Sequence, residues 1–272
     1  MAAPPADDLA LGALLAKIER MRGFAIGSYK EPCLRRRLAV RMRARSVHTF
    51  GAYAAVLDRI PEEYDLLLDA LTINVTKFFR NADTYAVLRD RVVPELAGRP
   101  RAAAVWSAGC ASGEEPYSLA LLFAAQAGQH GAPGARGRVR IDATDLDPGA
   151  LLALQRAEYA ASAVEEVPRA LLTRYFSPGP PYRLDAAITR LVRSFRHDLT
   201  NDPPPQPPYD LIVCRNVVIY FDRPTQERLF QTFFEALVPG GYLLLGKVET
   251  LFGAARAKFQ LEEPRERLFR RP

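Results

Sequence analysis

Residues 102–126, AAAVWSAGCASGEEPYSLALLFAAQ, contain the three elements that decide the fold class. Ala102–Ala108 is a short apolar run ended by a glycine, which predicts a strand buried on both faces. A turn with glycines at positions 109 and 113 follows, and Glu114–Gln126 is predicted to be a helix. A strand, a glycine-rich turn and a helix are typical of nucleotide-binding α/β domains, because glycines let the backbone approach a ligand closely.

The residues of this turn limit the charge of the ligand that it can bind. The dinucleotide fingerprint Gly-x-Gly-x-x-Gly needs three glycines, whereas only Gly109 and Gly113 are present. Glu114 and Glu115 open the helix, at the point where a pyrophosphate would need positive charge. We therefore expect a ligand that is neutral or positive here. S-adenosylmethionine fits, with its sulfonium, its ammonium group and its ribose hydroxyls.

The rest of the chain from residue 101 alternates between strands and helices, which predicts a doubly wound, mostly parallel sheet. The stretch 175–198 departs from this alternation and predicts a small antiparallel β insertion. The alternating elements are predicted as strand Arg138–Asp145, helix 148–158, strand Tyr209–Val217, helix Pro224–Leu237 and, after a stop-and-turn at Pro239–Gly241, strand Tyr242–Gly246.

Two acidic residues near the end of the second predicted strand have different expected roles. Asp145 stands at the tip of that strand, where a carboxylate can accept hydrogen bonds from ribose hydroxyls. Asp147 precedes Pro148 and is expected to cap the next helix.

The first 70 or so residues predict a small all-helical domain. Residues 8–21 are amphipathic, and residues 50–71 predict two short helices broken at Pro61. Between them, leucines or methionine recur every fourth residue at 34, 38 and 42. A neighbouring stripe of the same helix carries Arg37, Arg41 and Arg45.

The charge of the chain is uneven. The net charge is +6, yet Lys17–Arg45 alone holds ten basic and two acidic residues. This concentration predicts one docking surface for an acidic partner, and a solvated helix face explains it equally well. Because the stretch offers only Phe24 and Tyr29 for base stacking, nucleic acid is the less favoured partner.

Composition and cysteine usage exclude several classes. The chain is 49% hydrophobic and 25% charged, as in an ordinary globular protein. Its longest apolar stretch, Leu119–Ala127, is too short to span a membrane, and the N-terminus lacks the basic region of a secretory signal. The three cysteines (Cys33, Cys110 and Cys214) show no metal-ligand spacing. We therefore expect a cytoplasmic protein with free thiols, without a metal and without membrane insertion.

Six ordered motifs, together with the N-terminal pattern from Tyr29 to Tyr53, resemble the CheR family of bacterial chemotaxis receptor methyltransferases over nearly the whole chain. The motifs are Asn74–Arg80 (NVTKFFR), Ser107–Ser118, Ala143–Asp147, Phe195–Leu199 (FRHDL), Cys214–Phe221 (CRNVVIYF) and Gly240–Leu245. The resemblance implies a cytoplasmic enzyme that methylates glutamate side chains of methyl-accepting chemoreceptors with S-adenosylmethionine, leaving S-adenosylhomocysteine.

The resemblance also implies a domain organisation. Residues 1–72 would form a helical receptor-docking domain, and 73–85 a linker contributing to the cofactor pocket. Residues 86–272 would form a class I, Rossmann-like methyltransferase domain with the β insertion at about 175–198. Nothing in the sequence suggests an obligate dimer, so we expect a monomer.

The expected site residues fall into three groups, of which the docking arginines are inferred from the charge pattern and the other two groups are implied by the family. Arg80 and Tyr220 would be catalytic, and Arg37, Arg41 and Arg45 would dock the receptor. Two departures from the family pattern stand out: Lys247-Val248 replaces a common His-Ser, and Asp198 replaces a common Asn. The cofactor would be bound by Asn74, Thr76, Arg80, Gly109, Glu115, Asp145, Asp198, Leu199, Cys214, Arg215 and Asn216.

The implied chemistry suits these residues. A glutamate has a pKa of about 4.3, so at neutral pH it is already a carboxylate nucleophile. Methyl transfer is then an in-line displacement that needs no general base, which agrees with the presence of only three histidines. The enzyme must align the reacting atoms and exclude water. Arg80 is expected to orient the carboxylate and Tyr220 to help through its hydroxyl.

Three alternatives remain open at this level. The chain could methylate another substrate, such as a nucleic acid or a small molecule. It could be a non-catalytic scaffold that binds S-adenosylmethionine. A dinucleotide oxidoreductase is disfavoured by the missing third glycine.

Overall fold

The computed structural model describes residues 6–22, 26–72, 75–129 and 139–272. The chain forms two compact units. The helical unit contains residues 1–73 together with 220–225, and the sheet unit contains residues 74–219 together with 226–272.

The helical unit is built from amphipathic helices that bury one face each. Leu14, Ile18, Leu38 and Leu67 are fully or almost fully buried, whereas Leu9 is exposed. Thr49 caps the third helix by accepting a hydrogen bond from the Ala52 N–H. The predicted break at Pro61 is confirmed. The helices are α1 (Ala6–Arg22), α2 (Glu31–Ala44), α3 (Phe50–Arg59) and α4 (Glu63–Leu71), with a 3₁₀ turn at Ile26–Ser28.

A short segment from the C-terminal half of the chain packs within the helical unit. The Lys30 N–H donates to the Tyr220 carbonyl at 2.9 Å, and the Asp222 N–H donates to the Ser28 carbonyl at 2.9 Å. The rings of Tyr29 and Phe221 meet edge to face, with centroids 5.0 Å apart. Main-chain bonds thus hold the segment that carries Tyr220.

The sheet unit centres on a seven-stranded sheet in the order β5-β2-β1-β6-β7-β9-β8. The first five strands in this order run parallel, and β9 and β8 continue the sheet in antiparallel fashion. The central strands are buried on both faces, as their apolar composition predicts. The strands are β1 (Ala103–Ala108), β2 (Val139–Asp145), β3 (Glu158–Tyr159), β4 (Tyr182–Arg183), β5 (Val192–Arg196), β6 (Tyr209–Cys214), β7 (Leu237–Leu245), β8 (Gln260–Glu263) and β9 (Leu268–Arg270).

Helices cover this sheet. A π-helical segment, Leu88–Val92, lies between two of them, just before Pro94, which lacks the N–H that an α-helix would need there. The helices are α5 (Ala82–Val87), α6 (Val93–Ala97), α7 (Glu114–Gln129), α8 (Pro148–Arg156), α9 (Ala161–Val164), α10 (Arg169–Tyr175), α11 (Ala186–Thr189), α12 (Arg223–Ala236) and α13 (Gly253–Lys258).

The antiparallel β insertion exists, but its strands differ from the expectation for 175–198. Tyr182–Arg183 pairs antiparallel with Glu158–Tyr159, which lies outside the predicted stretch. Val192–Arg196 instead runs parallel to β2 at the edge of the main sheet. Alternating polarity is shared by an edge strand and by a small hairpin, so the pattern alone did not separate them.

The expected stop-and-turn at Pro239–Gly241 is wrong. Strand β7 begins at Leu237 and continues through these residues to Leu245. Gly240 has a φ of +73°, and the pairing with β6 shifts register at this point. Proline and glycine here make an irregular strand start rather than a turn, because the neighbouring β6 supplies a partner.

Within the described residues, no helix combines the length and the hydropathy needed to cross a bilayer. In the same ranges, no cluster of three or more histidine, cysteine or acidic side chains has the arrangement of a metal site.

Candidate functional site

The strand order places a topological switch point between β1 and β6. From β1 the chain adds β2 and β5 on one side, and then adds β6 and β7 on the other. In open α/β sheets, ligands bind in the crevice beyond the carboxyl ends of the strands at such a point. Gly109 follows β1, Asp145 ends β2 and Cys214 ends β6, so several predicted site residues meet at this edge.

The glycine-rich loop after β1 has a conformation that its glycines make possible. Gly109 and Gly113 have φ values of +81° and +99°. A Cβ atom on Gly109 would collide with the Cγ2 atom of Val217, from the segment after β6. The N–H groups of Gly109 and Cys110 both donate to the Thr144 carbonyl, at 2.8 and 2.9 Å. The loop is therefore fixed between the ends of β2 and β6.

Asp145 organises the loop through its carboxylate. Its oxygens accept hydrogen bonds from the N–H groups of Ala111 at 2.8 Å and Asp147 at 3.0 Å. Burial raises the pKa of Asp145, and these main-chain bonds oppose the rise. Asp147 in turn accepts from the Gly149 N–H at 2.7 Å, which confirms its predicted role as the cap of α8.

Glu115 on α7 pairs with Arg215 after β6. Arg215 Nη1 lies 3.6 Å from Glu115 Oε2, and the arginine side chain is only 3% exposed. The Ser107 hydroxyl donates to Glu115 Oε1 at 2.9 Å. Burial raises the pKa of Glu115, whereas Arg215 and Ser107 act in the opposite direction.

Arg215 also binds the segment that precedes α5. Its Nη2 donates to the Arg80 carbonyl at 2.9 Å and to Asn81 Oδ1 at 2.7 Å. Arg80 Nη1 donates to the Val75 carbonyl at 2.9 Å. The structure thus brings Arg80, Glu115 and Arg215 together, with Thr76 half-buried nearby in the chain. Asn74, a further predicted cofactor residue, lies outside the described residues.

Asp198 and Leu199 follow β5 and are half-buried. The Asp198 carboxylate caps its own turn: Oδ1 accepts from the Thr200 N–H at 2.8 Å and from its hydroxyl at 2.7 Å. Oδ2 accepts from Asn201 Nδ2 at 3.0 Å. This carboxylate is therefore engaged locally.

Sequence analysis assigned no role to Glu249, which the structure places at the same strand ends. Its carboxylate accepts hydrogen bonds from the N–H groups of Asn216 at 3.0 Å, Gly246 at 2.6 Å and Ile219 at 3.2 Å. Asn216 has a φ of +61°. Cys214, just before this turn, is fully buried, and burial raises the pKa of its thiol well above the usual value. The sequence offered one signal for this role, an acidic residue shortly after the last parallel strand. A single glutamate does not show which distant groups it will bind.

Tyr220 is counted with the helical unit and not with the residues described above. The guanidinium of Arg37 lies 5.3 Å from the centroid of its ring.

The three arginines expected to dock a receptor make contacts inside the helical unit. Arg41 donates to Glu63 at 2.9 and 2.8 Å, and Arg45 donates to it at 2.6 Å. Arg37 Nη1 donates to the Ala70 carbonyl at 2.6 Å. These arginines border the apolar face of α2, where α2 meets the neighbouring helices. Their side chains therefore reach groups on those helices. On α2 the exposed positions include Arg36, Val40 and Arg43, which sequence reasoning did not single out.

Glu63 is fully buried among these cations. Burial opposes its ionisation, but hydrogen bonds from Arg41, Tyr53 and Arg45 outweigh burial and lower its pKa. The Tyr53 hydroxyl donates to Glu63 at 2.8 Å.

Comparisons with known proteins agree over most of the chain. The family model described as "CheR methyltransferase, SAM binding domain" matches residues 74–267, and "CheR methyltransferase, all-alpha domain" matches residues 10–72. A chemotaxis protein methyltransferase from Listeria monocytogenes is 34% identical over 240 residues, 88% of each chain.

Other relatives are similar at the same level. Chemotaxis protein methyltransferase 2 from Pseudomonas aeruginosa is 33% identical over 88% of this chain and 85% of that protein. The Klebsiella aerogenes chemotaxis protein methyltransferase is 31% identical over 93% of this chain and 87% of that protein. A solved TehB-like SAM-dependent methyltransferase from Corynebacterium glutamicum aligns at 17% identity over 70% of this chain and 93% of that chain, with a TM-score of 0.39.

Proposed function

The chain belongs to the CheR methyltransferase family, and we propose that it methylates glutamate side chains in the cytoplasmic domain of methyl-accepting chemoreceptors, using S-adenosylmethionine. The proposal includes a cytoplasmic location, a monomeric enzyme and release of S-adenosylhomocysteine. Residues 1–72 would dock the receptor, 73–85 would contribute to the cofactor pocket and 86–272 would carry out the transfer.

The observation that supports S-adenosylmethionine as the cofactor is a set of three carboxylates at the switch point, of which Glu115 also pairs with Arg215. Glu114, Glu115 and Asp145 lie on the loop and strand ends there, and burial raises the pKa of each. A buried carboxylate is stabilised by a nearby positive charge and repels a phosphate. A ligand with a sulfonium and an ammonium group and without phosphate matches this environment.

Several residues are suited to hold the cofactor. Asp145 has lone pairs beyond its two main-chain bonds and can accept from the ribose hydroxyls. We assign Asp198 and Leu199 to the adenine of the cofactor, although the Asp198 carboxylate also caps its own turn. We assign the remaining contacts to Asn74, Thr76, Arg80, Gly109, Glu115, Cys214, Arg215 and Asn216.

Catalysis then needs orientation rather than a base. S-adenosylmethionine supplies an electrophilic methyl group on a positively charged sulfur. The receptor glutamate arrives as a carboxylate, since its pKa is about 4.3. Arg80 would hold that carboxylate in line through its guanidinium, and the Tyr220 hydroxyl would assist. A very tight ion pair would stabilise the ground state and slow the transfer, so the role of Arg80 is positioning.

Receptor docking is assigned to helix α2. Arg37, Arg41 and Arg45 contribute positive charge there, although Arg41 and Arg45 share the Glu63 carboxylate. Arg36 and Arg43 add exposed charge on the same helix. An acidic receptor helix would be attracted by this surface, with an association rate that falls as salt rises.

The test is transfer of a labelled methyl group from S-adenosylmethionine to a receptor cytoplasmic fragment. A glutamate methyl ester releases volatile methanol in alkali, which is the expected result. A base-stable methyl product would favour another substrate. Uptake of S-adenosylmethionine without transfer in a single turnover would favour a non-catalytic scaffold.

A further inference from the structure

We infer that Glu249 is a positioning residue for cofactor binding: its carboxylate fixes the turn 216–219 against the glycine-rich loop. This inference rests on the proposed function, because it concerns the crevice in which S-adenosylmethionine would bind. It assigns to Glu249 a role that acts through the main-chain groups its carboxylate binds.

The carboxylate of Glu249 is held by main-chain donors. The side chain is buried, with the residue 4% exposed. Oε2 accepts from the N–H groups of Asn216 and Gly246, and Oε1 accepts from that of Ile219. Hydrogen bonds from several N–H groups favour the charged carboxylate and offset part of the cost of its burial. Both oxygens are engaged, so Glu249 is not placed to act as a base.

These bonds connect the ends of two neighbouring strands. Cys214 and Leu245 are paired at the carboxyl ends of β6 and β7. Beyond them, Glu249 links the segment after β6 to the segment after β7. Asn216 has a left-handed conformation, with a φ of +61°. Asparagine adopts this region more readily than other non-glycine residues, and the bond from its N–H to Glu249 helps to fix the turn around it.

The turn held by Glu249 forms a wall of the crevice. Val217 lies between the two residues whose N–H groups Glu249 binds on this turn. Its side chain occupies the space where a Cβ atom on Gly109 would be. Any shift of the turn therefore changes the packing on the glycine-rich loop. A displaced turn would change the shape of the crevice in which the cofactor would bind.

Gly246 provides an independent way to disturb the same contact. A Cβ atom at position 246 would lie 2.7 Å from Glu249 Oε2 and 2.9 Å from the Asn216 nitrogen. Its φ is not in the left-handed region, so an alanine there meets only this crowding. Gly246→Ala and Glu249→Gln should therefore act through one mechanism, although they change different side chains.

The experiment compares full-length Glu249→Gln and Gly246→Ala with the wild type. Val248→Ala is the matched control, because Val248 lies beside Glu249 and is 75% exposed. Calorimetry gives the Kd for S-adenosylmethionine. Steady-state assays give the KM for the cofactor and for the receptor fragment, and thermal unfolding reports folding.

Both variants are expected to raise the Kd and KM for S-adenosylmethionine about tenfold or more, as for a lost buried hydrogen-bond set. The KM for the receptor fragment and the fold should change little, and Val248→Ala should match the wild type. This split separates positioning from a general loss of structure.

Binding within twofold of the wild type in both variants would overturn the inference. So would loss of folded protein in both, since Glu249 would then be purely structural. Failure of the wild type to bind S-adenosylmethionine would instead count against the proposed function.

Discussion

Arg215 and Glu115 form a buried ion pair, with 3.6 Å between Nη1 of the arginine and Oε2 of the glutamate. The pair joins the end of β6 to the first turn of α7. Through the Arg80 carbonyl and Asn81, the same guanidinium also reaches the segment before α5. Three sequence-distant parts of the candidate site thus depend on one side chain.

Replacing Arg215 by methionine should destabilise the protein strongly. Glu115 would keep a buried carboxylate without its cation, at a cost of about 3 kcal/mol in the free energy of unfolding. Urea unfolding measures this cost. The double variant Arg215→Met/Glu115→Gln should recover part of it. The exposed pair Arg89–Asp90 is the control, because Arg89→Met should have little effect. Equal effects of the two single arginine variants would contradict the assignment.

Gly109→Ala should destabilise the loop for two separable reasons. The new Cβ would collide with Val217, and alanine is strained at a φ of +81°. A loss of about 2 kcal/mol in the free energy of unfolding is expected, together with weaker binding of S-adenosylmethionine. Adding Val217→Ala should relieve the collision but not the backbone strain. Full recovery in the double variant would show that backbone strain contributes nothing.

Binding of S-adenosylmethionine should depend on the ionisation of Asp145. Burial raises the pKa of this carboxyl above its usual value of 3.8. The charged form accepts ribose hydroxyls best, so affinity should fall as the pH drops through that raised pKa. Asp145→Asn should bind about tenfold more weakly at neutral pH. Calorimetry at several pH values should also show a shallower pH dependence for this variant. An identical pH profile in both proteins would assign the titration to another group.

Glu63 should make the helical unit sensitive to acid. Its pKa is lower in the folded protein than the usual 4.5, because the hydrogen bonds from Arg41, Tyr53 and Arg45 outweigh burial. Such a group contributes stability above its unfolded pKa, and the contribution is lost as the pH falls through the folded pKa. Glu63→Gln should lower the free energy of unfolding by about 3 kcal/mol at neutral pH. It should also make the loss of stability with falling pH less steep.

Thermal unfolding of the full chain at several pH values tests this prediction. The neighbouring Glu62 is exposed, so Glu62→Gln serves as the control. If the unfolding temperature falls as steeply with pH in Glu63→Gln as in the wild type, the loss of stability belongs to other carboxylates.

Charge reversal on α2 should separate docking from folding. Arg36→Glu/Arg43→Glu alters exposed side chains, so receptor methylation should fall at low salt while the Kd for S-adenosylmethionine stays unchanged. Arg41→Glu should instead lower the unfolding temperature, because it places a second carboxylate beside buried Glu63. Wild-type methylation kinetics in the Arg36/Arg43 variant at low salt would argue against α2 as the docking helix.

The sequence by itself determined the features that depend on neighbouring residues. The apolar run 102–108, the glycines at 109 and 113 and the alternation that follows predicted the parallel sheet. Spacing of leucines predicted α1 and α2, and Asp147 before Pro148 predicted the cap of α8. Each of these is a local preference of the backbone or a periodicity of burial, which a short stretch contains in full.

Only the tertiary structure decided which distant groups become partners. Val192–Arg196 pairs with β2, and the C-terminal strands β8 and β9 extend the sheet. Arg41 and Arg45 bind Glu63. The tertiary structure also brought Glu249 to the turn after β6. A hydrogen bond to a buried carboxylate or to a strand edge depends on where the rest of the chain lies, and no local pattern contains that information.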